Sequence, residues 1–253
     1  TSGVMANQLA FKLHTSPGDE IVCEAGCHTY NKESGAMALV AQIQVRPVVG
    51  SAGMPALADV LKAIQTPNIH HPPTRLVSLE NTHNSSGGRI LPQADVEEMG
   101  RIVHDLGIPF HLDGARIANA SVATGKPIKE LTAPFDSTTI CLSKGLGSPV
   151  GSLMAGPKDF IAEARRLRKA YGGGMRQSGI LAACGIVSLT KNIERLAEEQ
   201  YIAECLGLFL ANNNIATNKK VTYEDLNKIK SLKFSTFSTD EDFTTVNGTV
   251  KLN

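Results

Sequence analysis

Thr138-Thr139-Ile140-Cys141-Leu142-Ser143-Lys144-Gly145-Leu146-Gly147-Ser148 is a β-branched run that breaks into a polar, glycine-rich turn, so one lysine stands at the mouth of a buried strand. A lysine ammonium becomes a nucleophile when burial or a nearby cation lowers its proton affinity, and a carbonyl cofactor then traps it as a Schiff base. For Ser143-Lys144-Gly145 taken alone, an exposed lysine in a surface turn is the commoner explanation. A second segment changes the balance. Phe110-His111-Leu112-Asp113-Gly114-Ala115-Arg116 ends another apolar run with an acid and, three residues on, a guanidinium. Two strands ending in Asp and Lys suit pyridoxal 5'-phosphate, because an Asp on the pyridine nitrogen keeps the ring an electron sink.

Working outward, the same pattern recurs. Residues 75–79 form an apolar strand that stops at Glu80-Asn81-Thr82-His83-Asn84. Residues 95–106 have amphipathic helical spacing closed by Gly107, and a strand follows over 109–112. Upstream, residues 4–11 read as a helix behind Ser2-Gly3, 20–23 and 44–49 as strands, and 34–43 and 55–65 as helices. Downstream come strands through Ile140 and over 152–155, then a long helix over about 179–210. Strand and helix in alternation mean an α/β fold with a mostly parallel sheet and helices on both faces, with sites at the carboxyl ends of the strands. From residue 212 on, Asn, Thr, Ser, Lys and Asp dominate and no apolar spacing persists. The expected organisation is therefore a large domain over residues 1–205 and a polar tail, disordered or the remnant of a small domain, over 206–253.

The 253 residues carry 25 basic against 24 acidic side chains, which gives no electrostatic footprint for nucleic acid or an anionic membrane. No apolar stretch is long enough to span a bilayer. Cys23, Cys27, Cys141, Cys184 and Cys205 are odd in number and scattered through apolar segments, which fits reduced thiols in a cytosolic or organellar enzyme better than a disulfide framework; the cytoplasm is the expected compartment. Cys23 and Cys27 lack a second ligand pair, so no metal site is expected. A small-molecule enzyme is the class that remains.

Several further residues suit a cofactor. Ser2, Gly3 and Val4 open a helix whose unpaired N–H groups could cradle a phosphate. His28 follows a strand and a glycine, where an imidazole could lie on a pyridine ring; a surface or core histidine is the plainer alternative. His83 could accept a proton or merely brace its loop. Asn84 could donate to the cofactor's phenolic oxygen, and Arg116 could hold that oxygen or a substrate carboxylate through its planar fork. Lys169 and Arg176 bracket Gly172-Gly173-Gly174, a hinge or simply a helix C-cap.

Ser2-Gly3-Val4-Met5-Ala6-Asn7-Gln8, Glu80-Asn81-Thr82-His83-Asn84, His111-Leu112-Asp113-Gly114-Ala115-Arg116, Ser143-Lys144-Gly145-Leu146-Gly147 and Gly172-Gly173-Gly174-Met175-Arg176-Gln177 occur in one order. Together they resemble the low-specificity threonine aldolases, fold-type I pyridoxal phosphate enzymes of the aromatic amino acid β-eliminating lyase and threonine aldolase group. The resemblance covers about residues 1–199. It implies that Lys144 carries the cofactor, Asp113 pairs with the pyridine nitrogen and His28 stacks on the ring. It further implies that Arg116 contacts cofactor or substrate carboxylate, that His83 lies near the substrate hydroxyl, and that Lys169 and Arg176 lie near the site or its dimer partner. The implied activity is cleavage of L-threonine and L-allo-threonine to glycine and acetaldehyde by a homodimer or homotetramer. A β-eliminating lyase, or a catalytically impaired relic, are the alternatives. Where the family has Gly-Thr in the phosphate loop, Val4 offers only its backbone N–H. The family's N-terminal segment and C-terminal small domain have no counterpart legible in these residues, and weak activity is the expectation that goes with that.

Overall fold

The computed structural model describes residues 1–66 and 68–212, with residues 202–212 by their backbone, and divides the chain into the units Thr1–Gln200 and Tyr201–Asn253. Chain order begins with α1 (Gly3–His14), β1 (Glu20–Glu24), α2 (His28–Asn31) and a π-helical turn at Met37–Ala41. Then come β2 (Gln44–Val48), β3 (Gly50–Ser51), β4 (Met54–Pro55), α3 (Leu57–Ala63), β5 (Thr74–Glu80) and α4 (Gln93–Asp105). β6 (Phe110–Asp113), α5 (Ile117–Thr124), α6 (Ile128–Thr132), β7 (Ser137–Cys141), β8 (Ser152–Ala155), α7 (Lys158–Ala170) and α8 (Gly179–Asn212) complete it.

The main sheet runs β2-β1-β5-β6-β7-β8, parallel throughout except for β8, which pairs antiparallel with β7 at the edge. β3 and β4 form a separate two-residue ladder. Successive side chains alternate between the two faces, and β1 and β6 are buried at every position, as a sheet sandwiched between helices requires. Val22, Val77 and Phe110 pack with Val60 of α3 and Met99 and Val103 of α4 on one face. Ile21 and Leu76 point to the other, against Phe11 of α1 and Met37 of the π turn. Leu112 is buried with Ile117 and Ala120 of α5 and Leu131 of α6.

The mostly parallel sheet with helices on both faces is thus the observed architecture. Two expected helices need correction. Over residues 34–43 only the π turn forms, because Ser34, Gly35 and Gln42 all take positive φ (53°, 72° and 62°), which no right-handed helix admits. The helix expected over 55–65 starts at Leu57, since Pro55 belongs to β4. The boundary expected after residue 205 falls inside α8, which carries residues 206–212 of the expected tail; residues 213–253 lie outside the described residues. Among the described residues no helix is long and apolar enough to cross a membrane.

Candidate active site

β1 has β2 on one side and β5 on the other, so the chain reverses its direction of growth across the sheet between β1 and β5. Loops leaving the carboxyl ends of such strands diverge to opposite faces and open a crevice, which is where ligands bind in open α/β sheets. Four parallel strand ends lie along this edge of the sheet: Glu24 and His28 at the end of β1, Glu80, His83 and Asn84 at that of β5, Asp113 and Arg116 at that of β6, and Cys141 and Lys144 at that of β7. Register fixes their level, with Glu80 paired to Asp113 and Asp113 to Thr139.

Asp113 is buried, and each of its oxygens accepts one hydrogen bond. Its Oδ1 accepts from the Ala115 N–H at 3.0 Å, and its Oδ2 accepts from Asn7 Nδ2 at 2.9 Å. Asn7 lies on the second turn of α1, and its Oδ1 accepts from Thr139 Oγ1 at 2.7 Å. The same Nδ2 donates to Glu33 Oε1 at 3.1 Å, while Gln8 Nε2 donates to Glu33 Oε2 at 2.7 Å. His28 Nδ1 closes the cluster on Glu33 Oε1 at 3.2 Å. Burial raises the proton affinity of the Glu33 carboxyl from its ordinary value, against the hydrogen bonds from Gln8 and Asn7, and the negative charge of Asp113 adds to the rise.

Glu80 spans the crevice. Its Oε2 accepts from the His28 N–H at 2.6 Å and its Oε1 from the Asn84 N–H at 2.9 Å, so one buried carboxylate sets both loops. Burial first and Asp113 second raise its proton affinity as well. His83 is buried, with Nε2 on Glu24 Oε2 at 2.8 Å and its Nδ1 buried without a partner among the described residues. Because a carboxylate only accepts, Nε2 carries the proton and Nδ1 presents a lone pair in the neutral ring. Glu24 in turn accepts from the N–H groups of Gly26 and Gly50, at 2.6 and 3.2 Å. Arg116 Nη1 donates to Asn84 Oδ1 at 3.0 Å, so the two residues assigned to one oxygen meet each other.

Lys144 is half-buried in a turn held from both sides. Leu142 and Leu146 flank it, and both are buried with Ala118 of α5 and Leu196 of α8. Glycine lets the turn pack directly against α8, since a Cβ on Gly145 would lie 2.8 Å from Leu196 Cδ2. Beside this strand end stands the N-terminus of α1. Ser2 caps it by accepting from the Met5 N–H at 3.2 Å, and a Cβ on Gly3 would lie 2.9 Å from Cys141 Sγ. The leading N–H groups of the helix, those of Gly3 and Val4 among them, have no intrahelical acceptor. A cleft of about 210 Å³ lies beside Thr1, two residues before the helix start, lined also by Leu142, Gly151, Ser152 and Arg168 among others.

The structure therefore gathers Asp113, His28, Asn84 and Arg116 through shared hydrogen bonds, and brings α1 up against the strand that leads to Lys144. Lys169 and Arg176 are exposed instead, around a glycine cap in which the Gly173 N–H donates to Arg168 O at 2.8 Å. Sequence reasoning missed Asn7, Gln8, Glu24, Glu33 and Glu80. The signal for the first two was present: adjacent amides among apolar residues of α1 must bury hydrogen-bonding groups.

The sequence profile of the family described as Beta-eliminating lyase matches residues 1–231. The low specificity L-threonine aldolase of Escherichia coli strain K12 is 46% identical over 199 residues, 78% of this chain and 59% of that protein. Low-specificity L-threonine aldolase 1 of Arabidopsis thaliana is 39% identical over 209 residues, 81% of this chain and 58% of its own length. The chain thus spans about three fifths of the length of the curated relatives it matches. A solved threonine aldolase of Leishmania major superposes with a TM-score of 0.74 at 20% identity, covering 84% of this chain and 63% of that one, a likeness of fold.

Proposed function

Because the chain belongs to the β-eliminating lyase family, we propose that it is a carbon–carbon lyase of fold-type I that uses pyridoxal 5'-phosphate to cleave L-threonine and L-allo-threonine to glycine and acetaldehyde. The relatives' names support the substrate. One observation carries the reading: the carboxyl ends of β6 and β7, neighbours in the sheet, bring Asp113 and the Lys144 turn to the same edge, where the N-terminus of α1 also arrives. A homodimer or homotetramer in the cytoplasm is part of the proposal.

The donor set fits the cofactor. A fixed carboxylate suits a protonated ring nitrogen, and a helix N-terminus with a nearby Arg168 suits a phosphate. Lys144 would hold the carbonyl carbon covalently, Asp113 the ring nitrogen, His28 the ring face, and Ser2, Gly3 and Val4 the phosphate. Asn84 and Arg116 would hold the phenolic oxygen, with Arg116 also reaching the substrate carboxylate. When bound, the cofactor supplies an electron sink for the pair released as the Cα–Cβ bond breaks. His83 would serve beside the substrate hydroxyl, with its Nε2–H held by Glu24; its buried Nδ1 lone pair would reach that proton only with a rearrangement of the packing around the ring. A nucleophile or base backed by an orienting acid is the usual architecture of such proton transfers.

Loading the protein with pyridoxal phosphate, reducing with borohydride and mapping peptides is expected to mark Lys144. A mark on Lys126, Lys158 or Lys169 rejects the assignment. With L-threonine the expected products are acetaldehyde and glycine in equal amounts; ammonia and a keto acid would move the chain to β-elimination.

A further inference from the structure

His28, Glu33 and Asp113 place three ligand-type atoms within 4.8 Å of one another. The centre of that cluster is not a cation's place. Asn7 puts its Nδ2 hydrogens between Glu33 Oε1 at 3.1 Å and Asp113 Oδ2 at 2.9 Å, and the Thr139 hydroxyl on Asn7 Oδ1 fixes which end of the amide faces them. Only a donor fits between two acceptors, so the amide orientation follows from chemistry. What remains is a hydrogen-bonded chain from His28 through Glu33 and Asn7 to Asp113.

In that chain Glu33 has no reason of its own to be buried. A carboxyl side chain with no exposed surface costs several kcal/mol unless every oxygen is satisfied, and three N–H donors from Asn7, Gln8 and His28 do this. The side chain that is left partly open is His28, whose ring is 31% exposed. Its backbone is already held by Glu80. A second carboxylate on Nδ1 fixes the remaining freedom, the rotation of the ring and the position of its proton.

We propose that Glu33 is a positioning residue: it holds the His28 ring in the Nδ1–H form with Nε2 unprotonated, and through the Asn7 amide it ties that ring to the carboxylate of Asp113. The two groups assigned to the face and to the nitrogen of the cofactor ring are then set as one unit before any cofactor arrives. The inference rests on the proposed function for its meaning, but not for its test.

The test uses cofactor-free protein labelled with 15N in histidine, where long-range proton–nitrogen spectra near pH 7.5 report which ring nitrogen of His28 carries the proton. His28→Gln identifies its signals by their loss. Wild-type protein is expected to show Nδ1–H. Glu33→Ala removes the acceptor and should shift His28 toward Nε2–H, and Glu33→Gln, which keeps an oxygen of the same reach, should restore Nδ1–H. In parallel, the dissociation constant for pyridoxal phosphate should rise about tenfold in Glu33→Ala and recover in Glu33→Gln, the size typical of losing an orienting partner. A wild-type His28 protonated at Nε2 overturns the proposal, and this holds even if the alanine variant does not fold. So does a Glu33→Ala protein that keeps Nδ1–H. Lack of aldolase activity with the expected tautomers would instead strike the proposed function and leave Glu33 where it is.

Discussion

Asp113 shows how a single carboxylate is prepared for a cation. It is buried, yet its hydrogen bonds come from neutral groups, the Ala115 N–H and the Asn7 amide, so its charge is oriented without being neutralised. A pyridinium placed on it would gain a charge-assisted bond in a site shielded from water, where such bonds are strongest. Asp113→Asn removes the charge and little of the shape. It is expected to bind pyridoxal phosphate still, and to lose turnover of L-threonine by roughly two to three orders of magnitude, the range seen when one preorganised electrostatic partner is removed. Steady-state assay at saturating cofactor decides this, and near-normal turnover would take Asp113 out of the mechanism. The residues at strand ends were legible in the sequence because an apolar run that stops at Asp or Lys is itself a signal. Glu33 was not legible, because its role depends on α1 delivering Asn7 and Gln8 from twenty-five or so residues away, and no local pattern encodes that meeting.

At the scale of elements, α1 does two jobs. Its first turn faces the end of β7, and its second turn supplies the amides that organise Glu33 and Asp113. Both depend on how closely the helix approaches the sheet. Gly3 has no side chain at the point of contact, where a Cβ would come within 2.9 Å of Cys141 Sγ. Gly3→Ala is therefore expected to push the helix start outward, lowering stability by about 1–3 kcal/mol as overpacked sites do and weakening cofactor binding. Cys141→Ala should relieve part of both effects in the double variant, measured as a coupling energy in urea unfolding. Strictly additive losses would show that the contact is not what places the helix. The fold itself was readable wherever an element was long and periodic, as in α4 and β5. It was unreadable in α5, α6 and the π turn. α5 is rich in alanine and buries Ile117, Ala118 and Ala120 without a clear polar stripe, α6 is five residues long, and the π turn is defined by left-handed residues whose side chains do not announce them.

Across the molecule, the charge balance of the fold shifts with pH at a place remote from the strand ends assigned to catalysis. His14 Nε2 and His111 Nδ1 both meet Ser137 Oγ at 2.7 Å, and the His111 ring stands edge-on to Phe11. Burial, with His14 as the second cause, lowers the pKa of His111 to about 3; burial lowers that of His14 to about 4, against the opposing pull of Asp136. The unfolded chain takes up these protons on passing below about 6.5, while the fold does not until about 4 and about 3. In that window the unfolded state binds more protons, so stability falls as the pH is lowered, by about 1.4 kcal/mol per pH unit for each histidine. Glu33 and Glu80 act in the opposite sense, since their raised values let the fold bind protons that the unfolded chain releases. The net slope therefore mixes both contributions, and a comparison that cancels the carboxylates is needed. His111→Asn keeps a polar atom within reach of Ser137 and removes the ring that must stay neutral. Its stability at pH 7 is expected to be lower than that of the wild type, through lost packing against Phe11. Between pH 6.5 and pH 5, however, it should lose about 2 kcal/mol less than the wild type. Urea denaturation at the two pH values measures the difference, and parallel losses in the two proteins would show that His111 is not held neutral by the fold.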